Sequence, residues 1–216
     1  MTRHRKLVVL DVDSTLTRDE GIDLLASFVS EDVASQVAAI TAAAMRGELD
    51  FEESLKRRVA TLEGVSVEAV AAATAQVRVT EGAHELVSEL HAHGHLVGAV
   101  SGGFHHMIDP LAENLNLDFH RANVLEVREG RLTGKTVGTV IDAGMKAAAL
   151  REWANEHDID MAHTVAVGDG GNDVEMLREA GVGIAFMAKP VAKEAADVSI
   201  DEPDLRLVLD VLGLRG

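Results

Sequence analysis

The chain has 216 residues, of which 47% are hydrophobic and 3% aromatic, and it contains no cysteine. This composition is typical of a folded globular protein with one core and room for a small accessory domain. It excludes disulfides, thiolate catalysis and cysteine zinc sites. The net charge of −16, from 36 acidic residues against 20 lysines and arginines, argues against nonspecific nucleic-acid binding and against an anionic membrane surface. An anionic substrate would therefore need a locally positive site, made by a metal ion or by placed Lys or Arg side chains.

The sequence has no sign of export or membrane insertion. The apolar run near the N-terminus, LVVL, is too short for a signal peptide, and no apolar stretch is long enough to span a bilayer. We therefore expect a soluble cytoplasmic protein with no membrane partner and no nucleic-acid partner. The oligomeric state stays open.

Short apolar runs alternate with helical patterns along most of the chain. The strand-like runs are Leu7–Leu10, Leu96–Val100, Thr164–Val167, Val182–Phe186 and Val198–Ile200. The helical patterns cover residues 83–93, 104–115, 145–157, 172–180 and 204–213. This alternation predicts an α/β protein with a Rossmann-like parallel sheet that helices cover on both faces.

Residues 20–78 break the alternation, because they contain helical patterns only. We predict a helical cap over residues 18–78, inserted into an α/β core made of residues 1–17 and 79–216. The stretch EVREGRLTGKTVG at 126–138 carries turn signals at Glu129-Gly130 and at Gly134. It predicts a β-hairpin on the edge of the sheet.

Polar residues follow three of the predicted strands, at the edge of the sheet where open α/β proteins bind ligands. The first ending is DVDST, in which Asp11 and Asp13 point the same way because they are two residues apart on an extended chain. Carboxylates so close repel each other, and their burial is costly unless a cation neutralises them. DVDST alone could also be an ordinary strand end capped by Asp and Ser.

The other two endings supply the complementary groups. Asp169 and Asp173 of GDGGND follow a buried strand; metal ligation is the better interpretation for Asp169, whereas Asp173 could equally be a helix N-cap. SGGF at 101–104 offers a hydroxyl and backbone N–H groups that could cradle an anion, although Ser-Gly-Gly alone is merely a loop. Lys146 lies near the start of a helix, an unfavourable end for a cation unless an anion is held there.

Together these groups predict phosphoryl transfer. Asp11 would attack a phosphorus atom, while Mg²⁺ and Lys146 would neutralise the phosphoryl oxygens. Asp13 would protonate the leaving alkoxide and then deprotonate the water that hydrolyses the aspartyl-phosphate. Two carboxylates are needed because nucleophile and general acid–base are different tasks.

The combined motifs DVDST, SGGF, Lys146 and GDGGNDVEML resemble those of the haloacid-dehalogenase (HAD) superfamily, and most closely its phosphoserine phosphatase family, over nearly the full chain. The resemblance implies Asp11 as nucleophile and Asp13 as acid–base, with Asp173 in a supporting role. It implies that Mg²⁺ is held by Asp11, the Asp13 backbone carbonyl and Asp169. It also implies a phosphate site made of Ser101, Gly102, Gly103, Lys146 and Asn172.

The predicted cap helix DFEESLKRRVATLEG carries an arginine on its apolar face. At about 100° per residue, Arg58 lies only about 20° from Phe51, within the stripe that also contains Leu55 and Val59. An isolated arginine there could snorkel or pair with an acid of the cap. A substrate carboxylate is the more specific interpretation for the partner of Arg58, because a guanidinium can bind a carboxylate through two parallel hydrogen bonds.

The resemblance extends to this cap. The family pattern of Met, Gly, Phe and Arg is met by Met45, Gly47, Phe51 and Arg58, and the resemblance places an acidic residue at Glu20 to meet a substrate ammonium. Many relatives carry a regulatory domain before the core. Because the first predicted strand lies so near the start of this chain, we expect no such domain.

We therefore predict an Mg²⁺-dependent phosphoric monoester hydrolase that converts O-phosphoserine to serine and phosphate, the last step of serine biosynthesis. Phosphoryl transfer to another small alcohol such as homoserine stays open, as does another small phosphomonoester as substrate. A receiver-type signalling module also uses Asp, Mg²⁺ and Lys, but it needs no substrate cap.

The histidines add little to this prediction. HAHGH at 91–95 spans a helix end, a Gly stop and a strand start, which favours a solvated helix end over a metal site. His105 and His106 follow SGGF, and we assign them no role.

Overall fold

A computed structural model describes residues 4–215, and within that range one seven-stranded sheet has the order β4-β3-β2-β1-β5-β6-β7. The strands are β1 (Leu7–Leu10), β2 (Leu96–Phe104), β3 (Phe119–Arg128), β4 (Arg131–Val137), β5 (Thr164–Gly168), β6 (Val182–Phe186) and β7 (Val198–Ile200). Every neighbouring pair is parallel except β3 and β4. The predicted Rossmann-like sheet is confirmed, and the hairpin is at its edge.

Ten helices surround the sheet within the described range. They are α1 (Gly21–Val29), α2 (Glu31–Met45), α3 (Phe51–Ala60), α4 (Val67–Thr74), α5 (Ala83–Ala92), α6 (His105–Leu115), α7 (Ala143–Glu156), α8 (Val174–Glu179), α9 (Pro190–Ala195) and α10 (Leu207–Val211). Ser30, Asp50, Ser66 and Asp142 each accept a backbone N–H from the first turn of the helix that follows. These side-chain caps satisfy donors that have no partner inside the helix, which explains where α2, α3, α4 and α7 begin.

The two faces of the sheet are covered by different helices. On β1, Val8 and Leu10 pack in one apolar cluster with residues of α5, α6 and α10. Leu7 and Val9 pack in a second cluster with residues of α7, α8 and α9. Both faces are therefore buried, and this is why β1 is an uninterrupted apolar run.

A third apolar cluster joins helices α1–α4 to the hairpin. It contains Leu125 of β3 and Leu132 of β4 beside Leu25, Leu55 and Val59 of the helices. The main chain of Leu132 accepts a hydrogen bond from the Gly64 N–H and donates one to the Val65 carbonyl, both at 2.8 Å. The hairpin thus attaches the helical segment to the sheet edge; the cap boundaries at 18 and 78 stay a prediction.

Three sequence predictions differ from the structure. The second predicted strand does not end at Val100 with SGGF as a loop after it, because β2 continues through Phe104 with a shift in register after Val100. The hairpin's first strand begins at Phe119 and not near 126, because β3 also pairs with β2. Helix α9 was not predicted. It begins with Pro190 and has only six residues, which are too few to show a helical pattern in the sequence. No helix in the described part of the chain is long and apolar enough to cross a membrane.

Candidate active site

A buried ion-paired trio lies at the carboxyl end of β1. The Lys146 Nζ donates to Asp11 Oδ1 at 2.5 Å and to Asp173 Oδ1 at 2.8 Å. Lys146 and Asp173 have no exposed surface and Asp11 is 2% exposed. Lys146 reaches this position because α7 begins at the same edge of the sheet as β1 ends. The ammonium that is unfavourable at a helix N-terminus is therefore compensated by two carboxylates.

Negative charge is in excess around this trio. Burial, with Asp173 and Asp13 nearby, holds the pKa of Asp11 well above its usual range, although Lys146 opposes the shift. Burial disfavours the charged form of Lys146, but Asp11 and Asp173 outweigh it and raise its pKa. Burial and Asp173 also raise the pKa of Asp169. Acids and base shift in the same direction because one ammonium cannot neutralise several carboxylates.

The donor set suits a hard divalent cation. Asp11, Asp169 and Asp173 each present a carboxylate oxygen, and these oxygens lie within 4.8 Å of one another. Oxygen ligands are those that Mg²⁺ prefers, and a dication would offset the excess charge. Asp173 is the most fully occupied of the three: besides Lys146, its other oxygen accepts the backbone N–H groups of Asp169 at 3.1 Å and Gly170 at 3.0 Å.

Asp13 is held by two donors from different parts of the chain. Its Oδ1 accepts the Gly21 N–H, the first residue of α1, at 2.6 Å. Its Oδ2 accepts the Ser101 hydroxyl at 2.9 Å, and the Ser101 oxygen in turn accepts the Gly103 N–H at 2.7 Å. These bonds fix the orientation of the Asp13 carboxylate beside Asp11.

Because Gly102 and Gly103 have no side chain, Asp13 and the Phe51 ring can lie close to the main chain at these two positions. A Cβ at Gly103 would lie 2.9 Å from Asp13 Oδ2, and a Cβ at Gly102 would lie 2.9 Å from the Phe51 ring of α3. Asn123, buried on β3, fixes this segment: its Nδ2 donates to the Gly102 carbonyl and its Oδ1 accepts the Ile141 N–H, both at 2.9 Å. The bulged end of β2 is therefore held in place by a neighbouring strand.

A cavity of about 380 Å³ opens above these groups. Its sheet-edge wall includes Asp11, Asp13, Gly102, Gly103, Asp169 and Asn172. Its helical wall includes Glu20, Met45, Phe51 and Arg58. The residues predicted to carry out the reaction and those predicted to select the substrate thus line the same cavity. Ser101, Lys146 and Asp173 do not line it, because they are buried behind Asp11 and Asp13.

The charged side chains of the helical wall are incompletely paired. Arg58 is half-buried, and no carboxylate among the described residues lies within ion-pair distance of it; its Nε donates only a long 3.4 Å bond to the Ser54 carbonyl. Burial lowers the pKa of Arg58, although Asp23 and Glu20 oppose this shift. The pKa of Glu20 is raised by the burial of its carboxylate in the cavity wall and, to a smaller extent, by the charge of Asp13. The Ser14 hydroxyl donates a hydrogen bond to the Glu20 carboxylate at 2.7 Å.

Three further residues of the site escaped the sequence prediction. Lys189 and Thr41 line the cavity, and Asn123 supports it. Lys189 follows β6, so the rule of inspecting strand ends could have found it. Thr41 lies one turn before Met45 on α2 and shares its face. Asn123 carries no local signal, since it lies in a strand that the sequence did not reveal.

Four of the histidines have partners within the protein. In HAHGH, His91 pairs with Asp118 at 2.9 Å and His93 with the Glu89 carbonyl at 2.8 Å, at a helix end as predicted. His105 and His120 share Asp109 Oδ1, at 2.7 and 2.9 Å. The His105 Nε2 accepts the Ala122 N–H, which leaves the proton of a neutral ring on Nδ1. That tautomer has no free lone pair directed at a metal.

The chain matches known proteins over nearly all its length. The family model described as haloacid dehalogenase-like hydrolase matches residues 8–178. A phosphoserine phosphatase of Streptococcus thermophilus is 46% identical over 212 residues, 98% of each protein. Another, from Streptomyces coelicolor, is 50% identical over 213 residues, 98% of this chain but 51% of that protein.

The solved structures that this chain resembles include proteins of the same name. A substrate-bound phosphoserine phosphatase complex is 42% identical with a TM-score of 0.91, covering 97% of this chain and 99% of the other. A phospho-aspartyl intermediate analogue of phosphoserine phosphatase, also 42% identical, has a TM-score of 0.90 over the same shares. With its paired aspartates at the end of β1 and its buried lysine, the chain belongs to the haloacid dehalogenase-like hydrolase family.

Proposed function

We propose that this protein is a phosphoserine phosphatase, which hydrolyses O-phosphoserine to serine and phosphate in the cytoplasm. The observation that carries the proposal is the single cavity in which Asp11 and Asp13 face Glu20 and Arg58. One wall suits a phosphate ester and the other suits an amino acid. Relatives and structures that carry this name cover nearly the whole chain at 42–46% identity, which supports the same reaction here.

Asp11 is the proposed nucleophile. Its carboxylate would attack phosphorus and become an aspartyl-phosphate while the serine alkoxide leaves. The Lys146 ammonium, bonded to Asp11 Oδ1, would orient the carboxylate so that its other oxygen faces the cavity. The Gly102 segment of β2 and the Asn172 side chain would bind phosphoryl oxygens, whereas the Gly103 N–H already donates to the Ser101 hydroxyl oxygen.

Asp13 is the proposed general acid and base. It would donate a proton to the leaving alkoxide, and it would later take one from the water that attacks the aspartyl-phosphate. The Ser101 hydroxyl and the Gly21 N–H hold its carboxylate in position. Because Gly21 begins α1, the acid–base group is also tied to the helical wall.

Asp11, the Asp13 carbonyl and Asp169 are the proposed ligands of Mg²⁺, with Asp173 supporting them through Lys146 and the Asp169 N–H. When bound, the ion would neutralise phosphoryl charge as it develops. The carboxylate excess around Asp11, which raises the pKa of Asp11 and of Asp169, supports this assignment.

Residues 18–78 are the proposed cap that selects the substrate. Arg58, which lacks a protein carboxylate within ion-pair distance among the described residues, would bind the substrate carboxylate. Glu20 would bind the ammonium, and Phe51 and Met45 would cover the carbon skeleton.

The test is phosphate release from a substrate panel, with Mg²⁺ and after its removal by chelation. Phosphoserine should be preferred over phosphoethanolamine, which lacks the carboxylate, over 3-phosphoglycerate, which lacks the ammonium, and over sugar phosphates. Asp11→Asn should lower kcat by about 10³-fold or more. Equal turnover of the whole panel would defeat the substrate assignment, and an active Asp11→Asn would defeat the nucleophile assignment. Product analysis with added homoserine separates hydrolysis from transfer.

A further inference from the structure

The cavity presents two cationic side chains, Arg58 and Lys189, and no sequence motif pointed to the second. Lys189 stands between β6 and α9, on the sheet-edge wall. Its backbone N–H donates to the Asp169 carbonyl at 2.8 Å, and its Nζ lies 3.9 Å from Asp169 Oδ2. The main chain is therefore anchored to the loop that carries Asp169, while the side chain is 57% exposed.

Besides the proposed Mg²⁺, an anionic substrate would gain from a cationic side chain that it can reach on this wall. The wall carries Asp11, Asp13 and Asp169, and the whole protein has a net charge of −16. Lys146 cannot be the first cation that the substrate meets, because it is fully buried and two of its three N–H bonds are made to Asp11 and Asp173. Arg58 belongs to the opposite, helical wall.

We propose that Lys189 is a substrate-binding residue whose ammonium contacts a peripheral phosphoryl oxygen while Arg58 holds the carboxylate end. Asp169 Oδ2 serves as its partner until an anion enters, since an ion pair at 3.9 Å with an exposed lysine is weak and easily exchanged. This inference rests on the proposed function, because it assigns one contact to a phosphate ester in the same cavity.

The experiment compares Lys189→Met with Lys193→Met at an Mg²⁺ concentration that saturates the wild type, and then at higher Mg²⁺. Lys193, on α9, pairs with Asp201 at 2.5 Å and does not line the cavity, so both variants lose one positive charge from the same helix region. Inhibition by inorganic phosphate, the phosphoserine KM and kcat are measured, and phosphate binding is followed separately by ³¹P NMR titration. Lys189→Arg is the conservative variant.

Lys189→Met should weaken phosphate binding and raise KM by about five- to tenfold, with kcat within about twofold. Lys189→Arg should recover most of the loss and Lys193→Met should match wild type. Unchanged phosphate binding in Lys189→Met would overturn the proposal, as would a loss that disappears when Mg²⁺ is raised further, since Lys189 would then act on the cation site. A wild type that binds phosphate through Lys189 but ignores phosphoserine would defeat the proposed substrate and leave the Lys189 contact established.

Discussion

The two walls of the cavity differ in how their charges are compensated. On the sheet-edge wall Lys146 bonds to Asp11 and Asp173, and all three side chains are buried. On the helical wall Arg58 is half-buried, with no carboxylate of the described residues within ion-pair distance. The buried charges hold each other in a fixed geometry before any ligand binds, whereas the unpaired arginine leaves its donors for a ligand. The proposed catalytic carboxylates are therefore held by a buried ion pair, whereas Arg58, the proposed recognition residue, keeps its donors available.

Breaking the buried pairing should give the largest effect. Lys146→Met leaves the buried carboxylates of Asp11 and Asp173 without their ammonium. We expect the free energy of unfolding to fall by about 3–5 kcal/mol and phosphatase activity to be lost. Urea unfolding monitored by circular dichroism, with and without Mg²⁺, measures the stability. A variant as stable as wild type would show that the trio is not a stabilising unit.

Removing the unpaired arginine should affect binding and not stability. Arg58→Met should raise the KM for phosphoserine by about 10- to 100-fold with kcat little changed, because its proposed ligand is the substrate carboxylate. The matched control is Arg57→Met, which removes an exposed side chain paired with Glu53 at 2.7 Å. Initial-rate kinetics decide the point: equal KM values for the two variants would contradict the role of Arg58.

The charge excess of the sheet-edge wall predicts a dependence of stability on pH. The pKa values of Asp11 and Asp169 are raised, so the folded state binds protons that the unfolded state has released. Between the unfolded pKa near 4 and these raised values, these two groups should make the metal-free protein more stable as pH falls and less stable as pH rises. Mg²⁺ should flatten this dependence.

Thermal unfolding from pH 7 to pH 5, in chelator and in Mg²⁺, tests this expectation. The Tm in chelator should rise towards pH 5 relative to the Tm in Mg²⁺, because only the metal-free carboxylates gain from protonation in the folded state. Parallel profiles with and without Mg²⁺ would show that the carboxylates are not relieved by the cation.

The smallest expected effect concerns a hydroxyl of the helical wall. The Thr41 Oγ1 is buried and has no hydrogen-bond partner among the described residues, whereas the Thr74 hydroxyl on α4 donates to the Val70 carbonyl at 2.8 Å. Thr41→Val should therefore leave the free energy of unfolding unchanged or raise it by up to about 1 kcal/mol, while Thr74→Val should lower it by about as much. Chemical denaturation compares the two, and a clear loss of stability in Thr41→Val would show that its hydroxyl has a partner.

The sequence alone determined which side chains meet at the edge of the sheet. Asp11, Asp13 and Asp169 closely follow apolar runs that had to be buried parallel strands, and the ends of parallel strands share one edge. Asn172 was identified only through the family resemblance. Arg58 was visible because helical periodicity placed it on the apolar face that carries Phe51. The local sequence pattern is sufficient to predict that a residue lies at the site when the direction of its side chain follows from its own strand or helix.

Only the tertiary structure decided how these groups pair. Lys146 and Asp11 are separated by 135 positions, and their contact depends on where α7 packs against β1. The hydrogen bond from Asn123 to the Gly102 carbonyl depends on β3 lying beside β2. The position of Lys189 in the cavity depends on the hydrogen bond between the loop after β6 and the Asp169 carbonyl. Such contacts arise from packing between distant segments, which no local periodicity encodes. For that reason the sequence could identify the proposed catalytic carboxylates, but it could not show that Lys146 is buried behind them while Arg58 and Lys189 line the cavity.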